Sequence, residues 1–583
     1  MSAYVDICVC PKPGAQLLDV CMSFPNTAFP KTASAPMDAG STLLRFPVWT
    51  PGSYVLREHA RYLQDIRVEN LENQALPFEW LSKNRLRVDN QGQAFHLHYS
   101  LWAAELSVRT NHVDDSHAFL NGAASFFFSE ETRSLPHSLR LRCPEGWTAA
   151  CALPRLGDSY LACNFDALVD SPVEMGPHAT PLGFCVLGIP HEVVWWGKRP
   201  SYMDKLLLGL QKICTTQAQF FGSLPFERFL FIVHAPDKGH GGLEHRACST
   251  LLFGQENLAQ ENGLEHFLGL ASHEYFHAWN VKRMMPPAFQ RLDYEQECYT
   301  RMLWALEGGS SYYEKLLNFR AGLLSENRLL QLWSETLSEL ASSPGRFKMT
   351  LEEASFLAWI HHYRPHAHSR NTGVSYYVKG EVVCLLLDLS LRQLTCNQRS
   401  LDDVFRLLWQ RVQKGETLEE RAFETAAVQV ACAPMEAFFN HALRSTEELD
   451  LSCLQHVGLE AHWFAQAPSL LPCLGMQLQD NTVRYVQALG AACQAGLQPG
   501  DELVALEGQK FSLQALTELL EQPLTGAPVE LHCFRRGRLY QTQVFPRPAP
   551  KEACVLRPVD NPSPAQQRAF QGWLQGLPQG EAP

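Results

Sequence analysis

Hydrophobic and polar residues alternate in short runs along the first part of the chain. Residues 4–10, 43–48 and 95–101 carry apolar side chains at every second position, and Pro, Gly and Asn separate such runs. A period of two residues is typical of half-buried strands, and these separating residues are turn formers. The pattern predicts a β-sandwich-like domain over residues 1–165.

The period changes in the middle of the chain. Residues 229–234 form a short apolar run typical of a buried strand. In the other segments of this middle region, apolar residues recur at helical spacing, three or four positions apart. The segments with that spacing are 203–221, 267–271 directly before the motif at 273–277, 324–340, 350–361, 380–394 and 401–413. We therefore expect a second domain over residues 166–460, with a strand-rich start and a helical remainder.

The C-terminal part returns to short runs separated by glycines. Residues 470–546 combine these runs with one helical segment at 513–520, which predicts a small third domain. Residues 547–583 are rich in Pro, Gln and Gly, a composition typical of a flexible tail. The chain as a whole is expected to be multidomain α+β.

Composition excludes several classes of function. The chain has 583 residues and a net charge of −12 without a basic run, which argues against nucleic-acid binding. No run of about 18 apolar residues predicts a membrane span. The first residues lack the features of a secretory signal, and 18 cysteines are scattered without regular spacing. We interpret them as reduced thiols of a cytoplasmic protein.

One short motif suggests metal chemistry. Residues 273–277 spell His-Glu-Tyr-Phe-His within a predicted helix. Histidines four residues apart lie on one helical face, so the imidazoles of His273 and His277 can bind one ion. Glu274 lies one position round the same turn, where a carboxylate can act as a base without binding the metal. The motif is short enough to occur by chance, so its surroundings matter.

A hydrolytic zinc site needs three protein ligands and one position left for water. Glu307 is the candidate third ligand, because its apolar and aromatic neighbours predict a buried helix carrying one carboxylate. The alternative is a structural salt bridge to Arg301 or Arg320. With the two histidines upstream we favour ligation of one Zn²⁺ ion, although the sequence leaves other divalent ions open.

The surrounding sequence resembles a known family. Residues 273–283 spell His-Glu-Tyr-Phe-His-Ala-Trp-Asn-Val-Lys-Arg, and Glu307-Gly308 precedes a Tyr-Tyr pair. These segments resemble the glycyl aminopeptidases, M61-type zinc peptidases of the gluzincin group that are related to aminopeptidase N. The resemblance implies a thermolysin-like, mostly helical peptidase domain and a preference for Gly or Ala as the first substrate residue. Gly309 departs from the family, which often has a bulky apolar residue there.

A glycine-rich segment precedes the zinc motif by about thirty residues. Gly241 and Gly242 would let an edge strand approach a peptide backbone, and Glu244 could neutralise an ammonium group. The alternative is a glycine turn with a solvated carboxylate. The resemblance to aminopeptidase N implies that Glu244 binds the free α-amine, which favours an exopeptidase, and that the glycines line the peptide.

Residues 374–380 contain the second candidate catalytic group. Their Tyr-x-Lys-Gly resembles the segment that supplies a phenol to the oxyanion in aminopeptidase N relatives, which assigns Tyr377 to that role. Tyr376 is the substitute if its neighbour is not the donor, and the alternative is two packed tyrosines. The histidine-rich stretch 361–368 is expected in a surface loop without a designed site.

Residues 495–503, Ala-Gly-Leu-Gln-Pro-Gly-Asp-Glu-Leu, resemble a PDZ domain of the bacterial protease type, and some glycyl aminopeptidases carry one. Such domains bind an extended peptide at a sheet edge. The resemblance assigns the terminal carboxylate to the loop Leu474, Gly475 and Met476, which lacks a second glycine. A purely structural module is the alternative.

The sequence therefore predicts a zinc aminopeptidase that acts on peptides with a free N-terminus. Glu274 would be the general base, Tyr377 the oxyanion donor and Glu244 the amine-binding group. A zinc endopeptidase of the same group, or a non-catalytic peptide-binding protein with a PDZ-like domain, are the alternatives. The intact Glu274 argues against the latter, because a structural zinc site needs no base.

Overall fold

The computed structural model describes residues 4–26, 40–465, 467, 469–522 and 526–576. The chain forms two compact units, which are described separately. Unit 1 contains Met1–Cys298 with Val412–Thr417, and unit 2 contains Tyr299–Arg411 with Leu418–Pro583. No helix in the described part of the chain is long and apolar enough to cross a membrane.

The first part of unit 1 is rich in strands, as the alternating pattern predicts. Val5, Ile7 and Val9 are fully buried, so every second side chain of the first strand enters the core. The elements are β1 Val5–Lys12, β2 Leu17–Phe24, β3 Ser41–Arg45, β4 Leu63–Asn70, β5 Phe78–Ser82, β6 Arg85–Asp89, β7 Phe95–Trp102, β8 His112–Val113, β9 Ala118–Leu120, β10 His137–Leu141, β11 Thr148–Cys151, β12 Arg155–Leu156, β13 Ser159–Ala162, α1 Phe165–Val169 and β14 Val173–Gly176.

These strands form three sheets. The largest has seven strands in the order β12-β13-β10-β1-β2-β7-β4, and a three-stranded sheet has the order β3-β6-β5. A four-stranded sheet has the order β11-β14-β9-β8. The strand-rich region thus extends beyond residue 165, because β14 pairs with β9 and β11.

The second part of unit 1 is a five-stranded sheet with helices. Its elements are β15 Leu182–Val186, β16 Ile189–Gly197, α2 Met203–Phe221, β17 Phe229–Ala235, β18 His240–Glu244, β19 Cys248–Phe253, α3 Gln255–Leu258, α4 Gly263–Phe276 and α5 Pro287–Gln290. The strand order is β15-β16-β17-β19-β18, which leaves β18 at the edge. Helix α4 packs on β18 and β19, and the Tyr275 hydroxyl lies 2.8 Å from His191 Nε2 on β16.

Unit 2 begins with helices. They are α6 Leu303–Arg320, α7 Glu326–Ala341, α8 Leu351–Phe356, α9 Ala358–His361, α10 Ser369–Thr372, α11 Tyr376–Leu394, α12 Leu401–Gln413, α13 Ala422–Ala431 and α14 Glu436–Arg444. The single helix predicted over 350–361 is instead two short helices, because Leu357 between them departs from helical geometry (φ −94°, ψ 14°).

The C-terminal part of unit 2 contains a further sheet. Its elements are β20 Leu459–Phe464, β21 Met476–Gln479, β22 Thr482–Val486, α15 Ala491–Gln494, β23 Glu502–Leu506, β24 Gln509–Lys510, α16 Leu513–Glu521, β25 Val529–Arg535, β26 Arg538–Val544, β27 Ala553–Pro558 and α17 Pro564–Gln575. The sheet order is β21-β22-β23-β25-β26, with β24 paired to β23.

The prediction of a flexible tail from residue 547 is wrong for residues 553–575. Strand β27 pairs antiparallel with β20, and α17 buries Trp573. The Trp573 ring stacks on Trp333 with ring centroids 4.7 Å apart, and its Nε1 donates to the Tyr312 hydroxyl at 2.9 Å. Composition misled the prediction, because a few buried side chains hold a segment that is otherwise polar. Residues 465–552 are consequently an insertion between two paired strands.

Candidate active site

Helix α4 presents both histidines of the motif at its C-terminal end. His273 lies in its last turn and His277 is the C-cap residue, with ring centroids 4.7 Å apart. The Nδ1 atom of His277 lies 2.8 Å from the Asn280 carbonyl, to which it must donate. That hydrogen bond fixes the tautomer and leaves the Nε2 lone pair for a metal ion.

Glu274 packs against the edge strand. Its side chain is 7% exposed, and a Cβ built on Gly242 would lie 2.0 Å from its Oε1 atom. Only glycine at position 242 therefore allows the carboxylate to occupy this place. The Gly242 carbonyl also accepts a hydrogen bond from the Arg109 guanidinium at 3.4 Å. Gly242 and Glu274, which the sequence placed in separate roles, are in direct contact.

Glu244 lies at the end of the same strand and is 5% exposed. A Cβ on Gly52 would lie 2.6 Å from its Oε2 atom, and Gly52 has a left-handed φ of 90°. The turn that contains Gly52, to which the sequence assigned no chemistry, therefore packs on the candidate amine-binding carboxylate. Glu244 and Gly52 line a cavity of about 410 Å³, together with Tyr54 and Phe289.

Asp170 and Lys282 line the same cavity and were missed by the sequence analysis. The Lys282 ammonium donates to Asp170 at 2.8 Å, and the Arg246 amide donates to the other carboxylate oxygen at 2.7 Å. Burial opposes the charge of Asp170, but Lys282 and His245 hold its pKa below the usual range. No local sequence pattern links residue 170 to residue 282, so only the fold could identify this pair.

In unit 2, Glu307 is buried on α6 near two tyrosines of α11. The rings of Tyr376 and Tyr377 stack with centroids 4.6 Å apart, and the Tyr363 hydroxyl lies 3.2 Å from each of their hydroxyls. Burial, followed by the negative charge of Glu307, raises the pKa of Tyr377 well above its ordinary value. The phenol therefore remains a hydrogen-bond donor at neutral pH.

The structure distinguishes the two candidate tyrosines by exposure. Tyr376 is fully buried, whereas Tyr377 retains some solvent contact. His362 lies against both, with its ring centroid 5.4 Å from that of Tyr377. The sequence predicted a surface loop over 361–368, and residues 362–368 do form turns and loop, with His362 exposed and Tyr363 half-buried.

Two glycines bring α6 and α11 together. A Cβ on Gly308 would lie 2.4 Å from the Gly380 backbone, and one on Gly380 would lie 2.6 Å from the Trp304 carbonyl. Each glycine belongs to a motif that the sequence analysis identified, Glu307-Gly308 and the Tyr-x-Lys-Gly segment. The small residues explain why the carboxylate and the tyrosines can share one part of unit 2.

The candidate metal ligands meet a simple test of fit. The donor types match: unit 1 offers two neighbouring imidazoles, His273 and His277, and unit 2 offers the buried carboxylate Glu307. Two imidazoles and a carboxylate suit zinc, and three protein ligands leave a position for water.

The predicted carboxylate loop of the C-terminal module forms one helical turn, Leu470–Leu474. The amides of Cys473 and Gly475 donate to the carbonyls of Ser469 and Leu471 within it. Leu474 and Met476 are fully buried. Two of the amides therefore have acceptors inside the loop, and a carboxylate-binding role for Leu474, Gly475 and Met476 stays a prediction.

Two protein-family models match the chain. Residues 266–383 match the M61 glycyl aminopeptidase model, and residues 10–177 match the model of the peptidase M61 N-terminal domain. The first segment contains the histidine motif, Glu307 and both tyrosines. The chain matches none of the curated proteins with which it was compared.

Solved structures include one similar over almost the whole chain. It is an aminopeptidase N family protein from Idiomarina loihiensis, with a TM-score of 0.90 and 28% identity, covering 98% of this chain and 100% of its own. An M1 zinc metallopeptidase from Deinococcus radiodurans has a TM-score of 0.47 and 13% identity, covering 77% of this chain and 95% of its own. The two family models and the full-length structural match relate this chain to the M61 glycyl aminopeptidases and support a metallo-aminopeptidase.

Proposed function

We propose that the protein is a zinc-dependent aminopeptidase that releases small N-terminal residues, Gly and Ala, from peptides. The observation that carries the proposal is the placement of His273 and His277 at one end of α4, with ring centroids 4.7 Å apart, beside the buried Glu274. Glu274 directly follows the ligand His273. A general base at that position is needed in a hydrolytic zinc site and has no use in a structural one.

Each protein group has a defined task in this proposal. His273, His277 and Glu307 would hold the zinc ion, which when bound would lower the pKa of a water molecule to about 7. Glu274 accepts a proton from that water during attack on the scissile carbonyl and then gives it to the leaving amine. Tyr377 donates a hydrogen bond to the oxyanion that develops.

Strand β18 and Glu244 would determine which peptides bind. Because β18 is the edge of its sheet, its main chain can pair with an extended substrate, and Gly241 and Gly242 present no side chain there. Glu244 would then neutralise the α-ammonium group, which an internal peptide segment lacks. This arrangement favours an exopeptidase over an endopeptidase.

The cavity beside Glu244 would receive the first side chain of the substrate. Its volume of about 410 Å³ and its aromatic lining, which includes Tyr54 and Phe289, leave more room than glycine needs. A preference for Gly and Ala therefore rests on the family resemblance, and larger first residues belong in any substrate survey.

A panel of amino-acid anilides and short peptides, each with a free and an acetylated N-terminus, tests the proposal. Zinc content would be measured alongside for wild type, Glu274→Gln and Glu244→Ala. We expect cleavage of free amines alone, its loss in Glu274→Gln with zinc retained, and a raised KM in Glu244→Ala. Equal cleavage of acetylated substrates would identify an endopeptidase instead. No cleavage by zinc-loaded wild type would refute the peptidase proposal.

We also propose that residues 470–546 form a PDZ-like module that binds an extended peptide, and that the protein is cytoplasmic. The buried apolar core of the module and its helix α16 support an independent folded unit. All 18 cysteines are free thiols, which suits a reducing compartment. Titration of the full chain with a library of peptides bearing free or amidated C-termini tests peptide binding, because carboxylate capture requires the free form.

A further inference from the structure

A second group of histidines surrounds one buried carboxylate in unit 1. Glu174 lies on β14, His117 directly precedes β9 and His234 lies on β17. All three side chains are fully buried. None of the three belongs to the candidate active site. The sequence analysis assigned them no role, because His117 lies 57 residues and His234 lies 60 residues from Glu174 along the chain.

The three ligand-type side chains converge. Glu174 Oε1 lies 2.9 Å from His117 Nδ1, and Oε2 lies 2.8 Å from His234 Nε2. One ligand atom from each residue lies within 4.8 Å of the other two. An ion held by bonds of about 2.0–2.2 Å requires such atoms to be roughly 3.3 Å apart, so the two His–Glu distances would lengthen by a few tenths of an ångström on binding.

Neighbouring groups hold this arrangement in place. His178 Nε2 lies 2.8 Å from the same Oε1 atom of Glu174, and the Trp196 ring stacks on His117 with centroids 4.0 Å apart. In protein metal sites, neighbouring groups typically donate hydrogen bonds to the ligating carboxylate and fix the orientation of the ligating imidazoles.

We propose that His117, Glu174 and His234 bind a second divalent ion of the zinc class. Strands β9 and β14 belong to the four-stranded sheet and β17 to the five-stranded sheet, so the ion would join the two sheets within unit 1. The full burial of its ligands excludes substrate, which makes this site structural. The proposal does not depend on the peptidase function.

Metal analysis of purified full-length protein by mass spectrometry tests this site separately from the catalytic one. We expect about two zinc ions per chain in wild type and about one in the double variant His273→Ala/His277→Ala. In that background, adding His234→Ala should remove the remaining ion. The control His137→Gln removes another buried histidine of unit 1 outside the cluster and should leave the zinc content unchanged.

A second measurement covers the case in which His234→Ala fails to fold. Metal-free His273→Ala/His277→Ala protein would be titrated with Co²⁺ and followed by its visible d–d absorption and its Tm. One equivalent bound in a nitrogen–oxygen environment, with a rise in Tm, supports the site, since binding to the folded state alone stabilises it. Wild type with about one ion, and no Co²⁺ bound by the double variant, would overturn the proposal.

Discussion

At the scale of single residues, the tightest fit in the candidate site is between Gly242 and Glu274. A Cβ at position 242 would lie 2.0 Å from the carboxylate oxygen, so Gly242→Ala must displace the Glu274 side chain. A catalytic group misplaced by about 1 Å can cost roughly 100-fold in rate. We expect kcat to fall by about that factor with zinc content unchanged, as measured by anilide hydrolysis and metal analysis.

Gly183→Ala is the matched control for this variant. Gly183 lies on β15 of the same sheet, and a Cβ there would meet only an ordinary contact at 3.5 Å. Activity should be unaffected. Full activity of Gly242→Ala would contradict this prediction. It would show that the contact between Gly242 and Glu274 is not needed for catalysis.

The choice between Tyr376 and Tyr377 is also decided at the residue scale. Tyr377 retains solvent contact whereas Tyr376 is fully buried, so we expect Tyr377 to reach the substrate. Tyr377→Phe should lower kcat by about 100- to 1,000-fold with little change in KM, because the donor acts on the transition state. Steady-state kinetics of Tyr377→Phe and Tyr376→Phe measured together provide the comparison. The larger loss in Tyr376→Phe would reverse the assignment.

Sequence reasoning was effective for residues within one motif and weak for residues that only the fold brings together. The spacing of His273 and His277 follows from helix geometry, and the described helix places their rings side by side. The contact of Gly52 with Glu244 joins residues almost two hundred positions apart, and no periodicity could reveal it.

At the scale of elements, the close approach of α6 and α11 depends on Gly308 and Gly380. Gly308→Ala would place a Cβ 2.4 Å from the Gly380 backbone and force the helices apart. Such overpacking costs about 1–3 kcal/mol, and displacement of the adjacent Glu307 should weaken zinc binding. We expect a lower urea midpoint and earlier zinc loss in a chelator titration.

Gly373→Ala provides the control in the same unit. Its Cβ would make contacts no closer than 3.5 Å, so both midpoints should match wild type. Unchanged stability and zinc retention in Gly308→Ala would contradict the prediction, because it would show that α6 and α11 accommodate an added Cβ without cost.

Element boundaries illustrate what periodicity can and cannot predict. Helix α2 was predicted at its observed bounds, since its apolar stripe is continuous. Strand β27 and helix α17 were missed, because their few buried side chains lie in a polar, proline-containing stretch. The capping box of Ser563 and Gln566 was the one local pattern that could have indicated that helix.

At the scale of the whole molecule, buried neutral histidines should make the fold sensitive to acid. Burial lowers the pKa of His137 to about 4 and that of His191 to about 4, from about 6.5 in the unfolded chain. The unfolded state therefore binds protons first, so stability is lost as the pH falls from 6.5 to 4. Each histidine accounts for about 3 kcal/mol of that loss.

Urea unfolding followed at several pH values measures this loss. His137→Gln should flatten the dependence between pH 6.5 and 4, whereas the exposed His366 can be replaced by Gln without effect. Equal pH dependence in wild type and His137→Gln would show that this histidine is not a buried neutral group.

The largest departure from the sequence prediction also concerns the whole molecule, because the C-terminal module is an insertion and not the end of the folded chain. Phe464 and Ala553 are paired neighbours at the ends of β20 and β27, so a short glycine-rich turn can replace residues 466–551. We expect the shortened chain to fold and to hydrolyse small anilides at rates within about 3-fold of wild type, since strand pairing and the Trp573 packing remain.

One contact makes that experiment informative. Asn371 lies five residues before Tyr376, donates to the Val486 carbonyl at 2.8 Å and accepts from the Tyr485 hydroxyl at 2.8 Å. The module is therefore attached to the segment that leads into the catalytic helix α11. If the shortened chain binds zinc and melts cooperatively but is inactive, Asn371→Ala in the full chain should show the same loss. If Asn371→Ala is active, the module acts on the tyrosines by another route.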